Sequence, residues 1–272
     1  MPPYKNISAD EFNDICKQYG IEKSYIKQWI KNPIYRGQGG SNPLLYFDSS
    51  MSDKRKSKNT YNFYTVVIDE DPRWKDFPKR SKSMICTTDR GMANMFGTVY
   101  YVIPLELDKN IGVCPDEDIW WSFQDFGRDA DTFNRELIRC FLAHGHDWVL
   151  TPANNVNSLA DLKDLFDKME AYKEIFIKAA KDHEPGDDEA EAPEWYFIKN
   201  NVTIFRWINS NYTLYESYKK SIDPDDNGFK TVPVGEFQSY EALYKKEVWM
   251  DSKSLLIGVE PAKEFNKTGT NQ

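Results

Sequence analysis

The sequence predicts an α+β fold. Strand-like segments rich in aromatic and β-branched residues stand in the first and last parts of the chain, and a strongly helical stretch separates them. Strands and helices do not alternate, as they would in a parallel βαβ sheet. At 272 residues the chain is long enough for one large domain or two small ones, with a substantial buried core.

In chain order, "SADEFNDICKQYG" opens on Ser8 with Glu11 three residues later, which is a capping box, and stops at Gly20. "KSYIKQWIK" reads as a second short helix. "NPIYRGQGGSNPLLYFD" reads as strand, glycine turn, strand, and "KRKSK" as a basic loop. "YNFYTVVIDED" alternates and predicts a strand; "DPRWKDFPKR", with two prolines, predicts an extended loop. "SMICTT" is a strand candidate. "DRGMANMFG" places Met92, Met95 and Phe96 at helical spacing before Gly97, and "TVYYVIPLEL" is a strand apolar enough to be buried on both faces.

The middle changes character. "DADTFNRELIRCFLAHG" is helical and stops at Gly145, and "HDWVLTP" is compatible with a strand. "SLADLKDLFDKMEAYKEIFIKAAKDH" carries Leu159, Leu162, Leu165, Phe166, Met169, Tyr172, Phe176 and Ile177 as one apolar stripe. "EPGDDEAEAPE" is an acidic, proline-bracketed linker. "WYFIKNNVTIFRWI" and "EVWMDSKSLLIGV" return to strand-like text. The expected organisation is N-terminal helices over 1–32 and a β core of 33–114 plus 195–264. A helical insertion over 115–194 ends in an acidic linker, 182–194, and a frayed tail covers 265–272.

Composition narrows the function classes. Hydrophobic residues are 40% and aromatics 15%, so the chain is not disordered overall. A net charge of −8 argues against a general nucleic-acid coat while allowing a local basic groove. The first residues lack an apolar h-region and no run approaches a membrane span, so neither a signal peptide nor membrane insertion is expected. Cys16, Cys86, Cys114 and Cys140 are widely separated with no CxxC pair, which suits reduced thiols in a cytoplasm.

Four groups of residues can carry chemistry. Arg36 followed by Gly37 and a glycine-rich turn can present a planar fork and free N–H groups to an anion, or form a surface salt bridge. Ser81, Ser83, Cys86, Thr87 and Thr88 crowd a strand-to-helix transition, where hydroxyls bind a ligand, fix a carboxylate or cap the helix; Thr88 or Asp89 fits the N-cap. Glu247, after Lys245 and Lys246, heads an apolar strand, where a carboxylate can stabilise an oxocarbenium-like transition state or remain an exposed ion-pair partner. His144, His146 and Asp147 have metal-ligand character, but Gly145 between them reads as a helix stop and no further Cys/His cluster completes a site. No P-loop or Ser-His-Asp arrangement is present, and Cys86 has no identifiable base.

The order of these groups resembles the arginine–serine–glutamate class of mono-ADP-ribosyltransferases. The matching residues are Tyr35-Arg36-Gly37, then Cys86-Thr87-Thr88 with Ala93 and Phe96-Gly97 ahead of "TVYYVIP", then Glu247-Val248-Trp249-Met250. The stretch "DPRWKDFPKRSKSMICTT" is also similar to a basic loop and "RSxS" run in a set of phage-encoded proteins. The resemblance covers roughly 35–105 and 240–258. It implies a split antiparallel sheet of ADP-ribosyltransferase type, with NAD as substrate and an unidentified macromolecular acceptor, protein before nucleic acid, in the cytoplasm of a host. It also implies roles: Arg36 and Gly37 on the pyrophosphate, and Ser83, Cys86, Thr87 and Thr88 along the cleft. Phe96 or Tyr46 would lie near the nicotinamide, unless each is core, and Glu247 would be the catalytic carboxylate. Two positions depart from the family pattern: Cys86 stands where a serine is usual, and Lys245 where Glu or Gln helps to choose the acceptor. A catalytically silent binding or virion-associated protein of the same fold is the alternative.

Overall fold

The computed structural model of the chain describes residues 4–51, 53–56, 60–126, 129–143, 145–175, 177, 211–240 and 244–260. The chain forms two compact units. One comprises Met1–Arg55, Asp76–Ile119 and Gly228–Gln272, the other Lys56–Lys75 and Trp120–Asn227.

The first unit is built on a nine-stranded sheet: β1 (Tyr4–Asn6), β2 (Tyr35–Gln38), β3 (Leu44–Phe47), β4 (Met84–Thr87), β5 (Thr98–Pro104), β6 (Asn110–Val113), β7 (Lys230–Pro233), β8 (Glu247–Met250) and β9 (Ser254–Gly258). Its order is β1-β3-β9-β5-β2-β4-β8-β6-β7, and every pairing is antiparallel. β5 lies near the centre and is buried along most of its length, as its unbroken apolar run requires. Between β2 and β4 the ladder narrows to one residue pair, Tyr35 with Thr87, whereas β4 and β8 pair over four.

The first N-terminal helix forms where its capping signals place it. Ser8 Oγ accepts from the Glu11 N–H (3.1 Å) while the Glu11 carboxylate accepts from the Ser8 N–H (2.8 Å). The helix Ala9–Gln18 then stops at Gly20, which has φ +64°. Helix Lys23–Lys31 buries Ile26 and Trp29, and Trp29 stacks on Phe237 with centroids 5.5 Å apart.

The second unit is helical among its described residues, with helices Phe63–Glu70, Ala130–Ala143, Leu150–Asn154, Leu159–Glu170 and Leu214–Ser221. An aromatic core joins them: Phe63 meets Phe166 and Tyr218 edge-on, and Phe126 stacks on Phe133 at 4.3 Å. The Tyr218 hydroxyl donates to Asn134 Oδ1 at 2.9 Å, satisfying a buried phenol.

Several expectations are corrected. "YNFYTVVIDED" is the helix Phe63–Glu70, not a strand: all six residues from Phe63 to Ile68 are buried. Apolar side chains on every side suit a fully buried helix, so tertiary burial outweighs β propensity. "HDWVLTP" is a 3-10 turn, Asp147–Val149, running into the helix Leu150–Asn154. The extended loop after Asp71 contains a 3-10 turn, Pro72–Trp74. The predicted long helix is continuous only over Leu159–Glu170 and meets a turn at Ala171 and Tyr172. Residues 60–75 and 211–227 belong to the second unit, not to the β core. The linker 182–194, the strand text 195–208, Phe176, His144, His183 and the tail 265–272 lie outside the described residues. No helix among the described residues is long and apolar enough to cross a membrane.

Candidate functional site

Three strands that are distant in sequence lie side by side in the sheet. β2 carries Arg36, β4 carries Cys86 and Thr87, and β8 begins at Glu247. Cross-strand partners project to the same face. Tyr35 pairs with Thr87 and Thr87 with Glu247, so these three share one face. Arg36 lies on the other, with Cys86 and Val248. Thr87 and Glu247 are thus brought together, and Arg36 is separated from Glu247 by the sheet.

The hydroxyls at the end of β4 have structural partners. Asp89 is the N-cap of the helix Arg90–Asn94, accepting from the Gly91 and Met92 N–H groups (2.6 and 3.2 Å). Thr87 Oγ1 accepts from the Asp89 N–H at 3.0 Å and fixes the approach to that cap. Thr88 Oγ1 accepts from the Lys246 N–H at 2.8 Å, tying the residue after β4 to the residue before β8. Ser83 precedes β4 and donates to the Lys79 carbonyl at 2.8 Å. Cys86 is buried, and burial pushes its thiol up to about 12, so it stays a neutral thiol at neutral pH.

Arg36 lies where the sheet is thinnest. Its NH1 donates to the Ile85 carbonyl at 2.6 Å, supplying a β2–β4 bond where the backbone ladder has narrowed. Burial raises the Tyr4 phenol on balance, and the guanidinium lowers it. Arg36→Ala should therefore loosen this seam, lowering stability by about 1.5–3 kcal/mol, the usual range for a hydrogen bond to a charged group. Urea denaturation checks this; an unchanged midpoint would show that the seam does not depend on Arg36.

Gly37 is required for packing. A Cβ there would stand 1.9 Å from the Ala93 carbonyl oxygen, so only glycine lets the helix Arg90–Asn94 rest on β2. The following turn borders a cavity of about 580 Å³ lined by Gly39, Gly40, Asn42 and Tyr100 among others, none of them charged. Phe96 lies beyond the end of its helix and is 65% exposed, so it is not core. Tyr46 is on β3, paired with Leu255 and far from β8 in strand order.

Glu247 is held on several sides. Arg80 NH2 lies 2.6 Å from Oε1, with the two side chains only 5% and 12% exposed. The Ile119 N–H donates to Oε2 at 3.4 Å, and Cys114 Sγ is 4.0 Å from Oε1. The backbone is clasped by the same turn: the Glu247 N–H donates to Asp116 O (3.1 Å) and the Cys114 N–H to Glu247 O (2.9 Å). Burial raises the carboxyl above the usual range, Arg80 draws it down, and nearby Asp118 adds to the rise. When ionised, a carboxylate so shielded from water exerts a strong local field.

The residues missed from sequence are Arg80 and the turn Cys114–Ile119. Arg80 carries a weak signal, as an arginine inside "FPKRSKS" at the entrance to β4; "CPDEDI" carries only its turn chemistry. Lys245 adopts φ +51° just before β8, with its Nζ 3.9 Å from Asp89, and Tyr244 beside it is 82% exposed. His146 packs on Tyr172 with centroids 4.1 Å apart. Among the described residues no group of three or more His, Cys, Asp or Glu could hold a metal ion. Comparisons with protein-family models, curated proteins and solved structures find no match to this chain.

Proposed function

We propose that the first unit is an ADP-ribosyltransferase-type domain that uses NAD and modifies a macromolecule, with Glu247 as the catalytic carboxylate. One observation carries this: the strands bearing Arg36, Thr87 and Glu247 are adjacent in the sheet, with Thr87 and Glu247 in register. In the chemistry the resemblance implies, the nicotinamide–ribose bond breaks with its electron pair leaving on nicotinamide. Glu247 accepts a hydrogen bond from the ribose 2′-hydroxyl and balances the positive charge that develops on the ribose. The acceptor then bonds to the anomeric carbon and releases a proton. Thr87, in register with Glu247, forms the wall beside it, and Thr88 ties the end of that wall to Lys246. Arg36 supports that wall through the β2–β4 seam rather than holding the pyrophosphate. Lys245 in place of Glu or Gln disfavours arginine as the acceptor residue, and the net charge of −8 favours a protein acceptor over nucleic acid. The phage-like "RSxS" run supports a phage source and action in a host cytoplasm.

A second reading is favoured by Arg36 facing away from Glu247 and by the covered carboxylate: a silent binding or virion-associated protein of the same fold. Incubation with NAD labelled on the adenylate side separates the two. Label transferred to protein, with nicotinamide released, supports the transferase. Intact NAD together with a heat-silent titration of a folded sample would move the assignment to the silent protein.

A further inference from the structure

We infer that Arg80 is the positioning residue of Glu247, setting the orientation in which its carboxylate meets the substrate; this rests on Glu247 being the reacting group. Glu247 and Trp249 are two apart on β8 and so share a face. The Arg80 guanidinium spans both, its NH2 2.6 Å from Glu247 Oε1 and its Cζ 5.4 Å from the Trp249 ring centroid.

The platform under it is rigid. Trp249 is fully buried, donates from Nε1 to the Pro78 carbonyl at 2.9 Å, and stacks on Phe77 with centroids 5.9 Å apart and planes 11° from parallel. Gly112 faces the indole from β6, where a Cβ would stand 2.4 Å from the ring, so the indole has no room to shift that way. Arg80 enters from the 3-10 turn Arg80–Lys82, directly before the strand that carries Thr87.

Stability alone gives a weak reason for this arrangement. Replacing a buried ion pair with well-packed apolar side chains is often neutral or favourable. A planar fork resting on an indole does provide a fixed direction, which a reacting carboxylate requires. The Ile119 N–H engages Oε2; on Oε1 the charged Arg80 contact at 2.6 Å outweighs the weak Cys114 thiol at 4.0 Å.

The test is an NMR titration of the labelled Glu247 side-chain carboxyl in the full chain, comparing wild type with Arg80→Gln and Arg80→Lys, beside NAD turnover. In Arg80→Gln the midpoint should rise by about one to three pH units, as expected for loss of an adjacent opposite charge. Arg80→Lys should give a smaller rise. The acid limb of the turnover profile should move with the midpoint, and kcat should fall while KM stays within about twofold. An unmoved midpoint in Arg80→Gln overturns the inference; if that variant does not fold, an unmoved midpoint in Arg80→Lys does so. A midpoint that moves while wild type leaves NAD intact removes the catalytic assignment of Glu247 and confines Arg80 to setting a carboxyl with no reaction to serve. Turnover whose profile ignores Arg80 overturns the positioning role and leaves the transferase standing.

Discussion

Glu247→Gln is expected to lower NAD turnover by roughly 10²–10³-fold, the cost of removing one preorganised charge partner from a transition state. The amide keeps the size of the side chain and one acceptor, so the loss reports charge rather than shape. The same change should destabilise the first unit by about 3–5 kcal/mol, because a buried arginine then lacks its counter-charge. That estimate rests on Arg80 being 5% exposed and unable to turn to bulk water. Turnover is therefore best measured at low temperature on protein whose circular dichroism matches wild type, with stability from urea denaturation. The paired variant Arg80→Met/Glu247→Leu should regain most of the stability and none of the turnover. The pH dependence has a definite sign. Burial holds the Glu247 carboxyl above its ordinary value, so the folded state binds a proton that the unfolded state releases. This contribution is fully present below the ordinary carboxyl range and is lost as pH rises through the folded value, and it is absent in Glu247→Gln. Equal turnover and equal urea midpoints for wild type and Glu247→Gln would remove Glu247 from both roles.

The strand that starts at Glu247 and the strand before the helix Arg90–Asn94 were legible because each couples an apolar run to a recognisable stop. The capping box at Ser8 and Glu11 was legible because its spacing is the structure. Two kinds of information were not. The helix Phe63–Glu70 reads as a strand because periodicity distinguishes faces only where one face is wet, and from Phe63 to Ile68 none is. The opposite facing of Arg36 and Glu247 depends on register, and a slip of one residue reverses it. Residue order can suggest that three strands are neighbours, but it does not say which side chains meet. Arg80 was hidden for a related reason. In sequence it belongs to a basic loop, and only the sheet brings it onto the face of β8. The hydroxyls of Thr87 and Thr88 show the converse: their crowding was plain, and their partners, a cap approach and a strand-to-strand tie, are backbone N–H groups that sequence does not position.

In the second unit the largest single effect should come from Asp71. Its carboxylate is 1% exposed and accepts from Arg73 Nε (2.9 Å) and the Arg73 backbone N–H (3.0 Å), with Lys219 Nζ at 2.7 Å. Arg73 continues to Asp223 (2.8 Å) and to the Lys219 carbonyl (2.9 Å), so the turn Pro72–Trp74 is fastened to the last turn of the helix Leu214–Ser221. Burial alone would raise the Asp71 carboxyl, but the hydrogen bonds from Arg73 and Lys219 outweigh it and hold the group at about 2, below its ordinary 3.8. A depressed folded value means that the stabilisation is present above the ordinary carboxyl range and is lost as pH falls through about 2. It amounts to about 2.5 kcal/mol near neutrality, from a shift of nearly two units at about 1.4 kcal/mol each. Asp71→Ala should cost somewhat more, about 3 kcal/mol, the lower end for a broken buried pair, because Arg73 and Lys219 are partly exposed and can turn to water. Urea denaturation followed by far-ultraviolet circular dichroism should show wild type and Asp71→Ala well separated at about pH 6 and converging towards about pH 2. A gap of the same size at both ends would mean that Asp71 acts through packing, and that the charge cluster around it contributes nothing to the fold.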